Sequence, residues 1–216
     1  MNEFLTKLIQ RGAAVTTEIS AQATDAGDAL VAAGMAEFEE LTRQGFSYHV
    51  QSTTPTASVV ALPTTTAGIG FWNSASDNGK CAVIDAIFAT NIVAHSTLGQ
   101  AGLIYVVGQT RVAALDNAFV VRKNNGNGPG ADNVLLAATG GAVLDAVTGV
   151  AIGWTPIGPS VNNSVVSLPG NVIFAPVNGR IIVPPGRQFG VNVMASNAEY
   201  TWNIGIMWHE KVLKLG

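Results

Sequence analysis

Three histidines, one cysteine, four tryptophans and a thin scatter of carboxylates are the side chains of this 216-residue chain whose types could do chemistry. His49, His95 and His209 stand far apart, and none has a second histidine or a carboxylate at the short spacing that makes a metal-binding pair. Glu210 is adjacent to His209, so on a strand it would point to the opposite face. No metal site is expected. Asp77, Asp85, Asp116, Asp132, Asp145 and Glu199 occur singly, whereas a glycosidase needs two carboxylates facing each other across a cleft. They read as turn formers or solvated partners. A Ser-His-Asp triad assembles in space and leaves little trace along a chain, but no Gly-x-Ser-x-Gly elbow is present to suggest one. No catalytic residue and no cofactor are assigned, and an enzyme is not expected.

Cys81, alone, excludes an intrachain disulfide and a thiolate metal cluster. In Lys80-Cys81-Ala82-Val83-Ile84 it reads as a small hydrophobe on a strand. Trp72, Trp154, Trp202 and Trp208 could stack on sugar rings if exposed, yet three of the four sit in strand patterns that favour core or interface. A glycan platform would need an exposed Trp or Tyr with nearby Asn/Asp on a loop, for instance Trp72 with Asn73 and Asp77. The run Asn124-Asn125-Gly126-Asn127-Gly128-Pro129-Gly130 lacks the Lys and Ser/Thr of a phosphate-binding loop and reads as a projecting connection that tolerates positive φ. Asn162-Asn163-Ser164 matches a glycosylation sequon, which matters only in a secreted chain.

The elements that must position these residues change character near residue 46. Residues 1 to 45 contain no proline, are rich in Ala, Glu, Thr, Gln and Leu, and are expected to form a helical N-terminal arm of two pieces. The first presents Phe4, Leu5, Leu8 and Ile9 on one face. In the second, Asp25 or Asp28 caps a stripe of Leu30, Val31, Gly34, Met35, Phe38 and Leu41, and Gly45 stops it just beyond Arg43. Such a stripe either packs on its own domain or docks a neighbouring subunit, and its polar face lacks the cationic excess of a membrane-surface helix.

From 46 to 216 the hydrophobic period becomes two, and Gly, Pro, Asn and Thr supply the punctuation. Strands are expected at 58–62, 68–73, 80–94, 101–109, 112–121, 133–138, 142–155, 161–175, 180–183, 188–195 and 199–212, after a linker over Ser52 to Ser58. In the last, Tyr200, Trp202, Ile204, Ile206 and Trp208 alternate with mixed residues and should face a core. Val183-Pro184-Pro185-Gly186-Arg187 reads as a tight reversal. Many short strands without βαβ alternation make the chain mainly β, with a jelly-roll-like antiparallel β-sandwich as the expected fold.

Charge carries the functional argument. Past residue 45 only fifteen formal charges remain, eight Lys/Arg and seven Asp/Glu. A monomer usually keeps its surface rich in such residues, so much of this exterior is expected to be covered by other protein. The net charge of −3 gives no basic face for nucleic acid. No apolar run is long enough for a transmembrane helix, and Met1 to Arg11 is too charged for a secretory signal. Synthesis in a cytoplasm, with Met1 as the mature start, is the expectation.

Gly70-Phe71-Trp72-Asn73, then Asp77-Asn78-Gly79-Lys80 and the apolar run from Cys81, resembles the strand-turn-strand opening of small β-sandwich virion proteins of tailed bacteriophages. Gly179-Arg180-Ile181-Ile182-Val183-Pro184-Pro185-Gly186, running into Phe189-Gly190-Val191-Asn192-Val193, is similar to their strand-Pro-Gly-strand ending. The resemblance covers about 46–216, and Ser74 stands where those proteins have proline. It implies a capsid cement or decoration protein, a homotrimer seated on the lattice of a major capsid protein. The N-terminal residues then become candidates: Phe4, Leu5, Leu8 and Ile9 for anchoring to the capsid or a sister subunit, and Leu30, Met35, Phe38 and Leu41 for packing helices around the threefold. A receptor- or glycan-binding module of a tail fibre or spike is the alternative.

Overall fold

The structure, a computed structural model, describes residues 22–23, 29–30, 38–63, 66–73, 79–93, 99–109, 119–128, 134–137, 142–143, 153–163 and 171–213. The chain separates into two compact units, Met1–Glu40 and Leu41–Gly216.

The N-terminal expectation needs correction. Gln22–Ala23 (β1) and Ala29–Leu30 (β2) pair antiparallel, Gln22 opposite Leu30, so Leu30 stands on a strand and not on a helical stripe. By residue type, Asp25, Gly27 and Asp28 between them are turn formers, and that local preference outweighs the three-four spacing of the apolar residues. The helix among the described residues is one short piece, Glu39–Arg43 (α1), with no buried side chain. Its end is as expected. Gly45, at φ 79°, donates to Thr42 O at 3.0 Å and Phe46 donates to Leu41 O at 2.9 Å, the paired bonds of a Schellman stop. Phe4, Leu5, Leu8, Ile9 and Met35 lie outside the described residues; Phe38, just before α1, and Leu41, within it, are half-buried.

The larger unit is mainly β and antiparallel. Its strands are β3 (Ser47–Gln51), β4 (Thr56–Ala57), β5 (Thr66–Ala67), β6 (Ile69–Asn73), β7 (Lys80–Val93), β8 (Gly99–Gln109), β9 (Arg122–Lys123), β10 (Val134–Ala137), β11 (Ala142–Val143), β12 (Thr155–Asn163), β13 (Val172–Val183), β14 (Gln188–Ala195) and β15 (Thr201–Val212). One sheet runs β10-β6-β14-β8-β12 and the other β13-β7-β15-β3-β9, with β4 also on β15 and β5 paired to β11. The two large sheets share one hydrophobic core.

β15 organises that core. Tyr200, Trp202, Ile204, Ile206 and Trp208 are all buried, as their alternation predicted. Trp208 meets Phe71 of the opposite sheet edge-on at 5.0 Å and stacks on Tyr48 at 5.6 Å. Removing each such side chain from water stabilises the fold by about 1.5–3 kcal/mol. β3 was not expected; Tyr48 and Val50 face inward there and the strand pairs with β15. The stretch from Ser52 to Ser58 is no free linker either. Ser52 donates to Ile204 O and Ser58 to Tyr200 O, both at 2.8 Å, and the next residue, Val59, donates to Val193 O, also at 2.8 Å, so the segment straps one sheet to the other.

The two sequence patterns that carry the resemblance meet at Asn73. Pro184 O accepts from Arg187 N–H at 3.2 Å with Gly186 at φ 76°, the reversal expected of that Pro-Pro-Gly run. Gly186 donates to Asn73 O at 2.7 Å, and Asn73 donates back to Arg187 O at 3.0 Å. The Asn73 amide Nδ2 donates to Lys80 O and Val183 O, each at 2.9 Å, tying the ends of β6, β7 and β13. Asn73→Leu should therefore leave two carbonyls without their donor and cost about 2–4 kcal/mol. Chemical denaturation of the purified variant checks this.

Candidate functional site

The register of the six-stranded sheet places its outward side chains in rows. Val172 lies beside Thr90 and Asn203; Phe174 beside Phe88, Gly205 and Gln51; Pro176 beside Ala86, Met207, His49 and Arg122. Inward neighbours Ile173, Ala175 and Val177 are buried, so the alternation of β13 leaves Val172 at 52% and Phe174 at 50% exposure. The far edge of the Phe88 ring sits over Gly205, where an added Cβ would meet Cζ at 2.1 Å, and so the ring covers the backbone of β15 there. The first two rows contain no charged residue. A face of this composition is what protein–protein contact requires: apolar anchors at the centre, charge kept to the margin.

The margin is polar. Beyond Met207 the outward position on β15 is His209, whose Nδ1 donates to Asp85 Oδ1 at 2.8 Å across a register shift between β15 and β7. Glu210 points the other way, as expected, and its Oε2 lies 3.9 Å from Lys80 Nζ. His49 Nδ1 donates to Asn124 Oδ1 at 2.6 Å, and the Asn124 amide bonds Ser47 Oγ. The start of the Asn/Gly loop is thus pinned to β3 instead of projecting freely, with Gly126 and Gly128 in the positive-φ region anticipated for them. Among the described residues no three His, Cys, Asp or Glu come together as a metal site. No helix there is long and apolar enough to cross a membrane.

The other sequence candidates disperse. Trp202 and Trp208 are buried in the core, and Trp154 is buried with its Nε1 donating to Pro63 O at 2.8 Å. Trp72 is half-buried, but Asn73 beside it is buried and its amide engages backbone, while Asp77 lies outside the described residues. The trio therefore presents no polar arm toward a sugar through Asn73. His95, Asp116, Asp132 and Asp145 also lie outside the described residues. Sequence reasoning missed the Phe174 face, because an apolar residue on a strand carries no mark of whether its face is covered by its own chain.

Cys81 is buried, and burial pushes its thiol pKa up, partly opposed by a backbone hydrogen bond at Leu213. A raised pKa leaves less thiolate at any pH below it, so the nucleophilic form is depleted near neutrality. Iodoacetamide at pH 8 should label the native chain at least about tenfold more slowly than the unfolded chain. Mass spectrometry of timed samples checks this.

Compared with protein-family models, with curated proteins and with solved structures, the chain matches none.

Proposed function

We propose that this chain is a jelly-roll subunit of a protein shell: a bacteriophage virion protein that binds the major capsid protein lattice as a cement or decoration protein and assembles as a homotrimer. The jelly-roll reading is supported by the pairing of the eight strands of five or more residues, β3, β6, β7, β8, β12, β13, β14 and β15. Numbered 1 to 8 in that order, they pair 1 with 8, 2 with 7, 3 with 6 and 4 with 5. That is one long antiparallel ribbon. Rolling it up adds the contacts of 8 with 3 and 7 with 4, which are β15 on β7 and β14 on β8. Capsid and lectin domains both use this architecture, so the fold narrows the class by analogy only.

The observation that carries the functional reading is the charge-free pair of rows around Phe174, in a domain with few charges to spare. The work of such a protein is mechanical. Each contact contributes about 25 cal/mol per Å² of apolar area covered, and repetition over a shell turns modest contacts into collective resistance to internal pressure. Phe4, Leu5, Leu8 and Ile9 are the proposed capsid anchors, with Phe174 and Val172 meeting a second copy of the chain. Mixing the purified protein with phage heads that lack it is the test. Saturable co-sedimentation at a fixed ratio to the lattice is expected; absence of binding at micromolar concentration would remove the cement assignment.

A further inference from the structure

β12 and β13 are edge strands of opposite sheets, and they come together at a point that only glycine permits. Gly158 has φ 75°, and a Cβ there would lie 2.6 Å from the Ala175 Cβ. β12 loses register at this contact, between Ile157 and Val161, and β13 loses it just beyond, between Pro176 and Ile181. The β13 break holds Asn178 at φ 51° followed by Gly179 at φ 74°, and Asn178 is the one non-glycine with positive φ among the described residues. Bulges re-aim side chains and gather beside binding sites, and left-handed backbone in a strand is held only where the surroundings insist on it.

What the two breaks frame is a cleft of about 420 Å³ lined by Tyr105, Pro156, Ile157, Pro176 and Arg180. That volume falls in the range of small-molecule sites, roughly 300–1,000 Å³. Tyr105 is half-buried and leans on Phe189 with ring centroids 6.2 Å apart, which fixes its plane. The prolines add rigid apolar walls. Arg180 is exposed on β13, and no hydrogen bond or ion pair among the described residues engages its guanidinium.

We propose that this cleft binds a carboxylate-bearing sugar residue of a glycan. The apolar face of a pyranose ring suits Tyr105 and the prolines, and the carboxylate suits the planar fork of Arg180, which recognises such groups through two parallel hydrogen bonds. A neutral sugar meets only the walls; a bare carboxylate meets only the fork. This site lies apart from Trp72 and does not depend on the capsid reading.

The full chain titrated with methyl glucuronide, methyl glucoside and acetate, followed by NMR shift changes, tests it. Glucuronide should bind with a Kd near the millimolar range, and glucoside and acetate at least about tenfold more weakly. Arg180→Lys and Arg180→Ala should each weaken glucuronide binding about tenfold or more with the thermal midpoint unchanged, because Lys cannot reproduce the bidentate fork. Equal binding of glucuronide and glucoside, equal binding of glucuronide and acetate, no binding at 20-fold above about 1 mM, or full binding by Arg180→Ala would each overturn the proposal. Binding of an acidic peptide in preference to glucuronide would overturn it in favour of a protein ligand.

Discussion

Trp208→Ala is expected to lower the stability of the fold by about 4 kcal/mol, the largest single loss any core substitution here should produce. Trp208 is fully buried on β15, and its ring is the joint between the sheets: edge-on to Phe71 of β6 at 5.0 Å, stacked with Tyr48 of β3 at 5.6 Å. Truncation removes the transfer energy of the indole, leaves a cavity that two rigid β-layers cannot close, and deletes both aromatic contacts. With a urea slope near 2 kcal/mol per M, the midpoint should fall by about 2 M at unchanged slope. A fall of less than about 0.5 M would mean that the sheets are not joined through this ring.

Phe174→Asp carries the second large effect, on assembly and not on folding. Phe174 is half-exposed, and its neighbours Ile173 and Ala175 keep the inward face of β13 intact, so the fold should tolerate the change. In an interface, the same carboxylate would sit desolvated among Phe88, Val172 and their partners, at a cost of several kcal/mol. Subunit association should weaken by at least about 100-fold. Analytical ultracentrifugation over a concentration series reads this directly, with circular dichroism as the check on folding. An unchanged association constant would move the interface to another face of the domain.

How far the sequence reveals this structure depends on how well each strand keeps its period. β15 was legible to within two residues because Tyr200, just before it, and Trp202, Ile204, Ile206 and Trp208 within it alternate without interruption and are all buried. β6, β7, β8 and β14 were found at close to their observed bounds for the same reason. β12 was displaced, lying between the expected strands at 142–155 and 161–175, and β13 was split, its start overlapping 161–175 and its end matching 180–183, because Pro156, Pro159 and Pro176 and the left-handed Asn178-Gly179 break the alternation within each strand. β3 escaped because its two inward residues, Tyr48 and Val50, are too few to establish a period. At Leu30 the N-terminal stripe failed in the opposite sense: spacings of three and four suggested a helix there, where the chain makes a short ladder, while Leu41 does lie on the helix α1.

The candidate surfaces were less legible than the fold. Low charge raises the expectation that other protein covers the domain, but does not say where. Val172 and Phe174 are indistinguishable in type from the core residues that flank them; only the direction of the pleat, fixed by register with β7, turns them outward. The cleft at Tyr105 and Arg180 is invisible along the chain, since its two halves are brought together by a contact between sheets at Gly158 and Ala175. Signals of that kind arise from tertiary packing, and no local pattern encodes them.

Light scattering of the purified full-length chain, coupled to size exclusion, tests the central claim most directly. The account predicts a stable species at an integral multiple of 22.3 kDa, three subunits for the homotrimer, that persists on dilution. A monodisperse species of one chain mass at high concentration would contradict it, because the exposed apolar rows of β13 and β7 would then have nothing of their own kind to cover them.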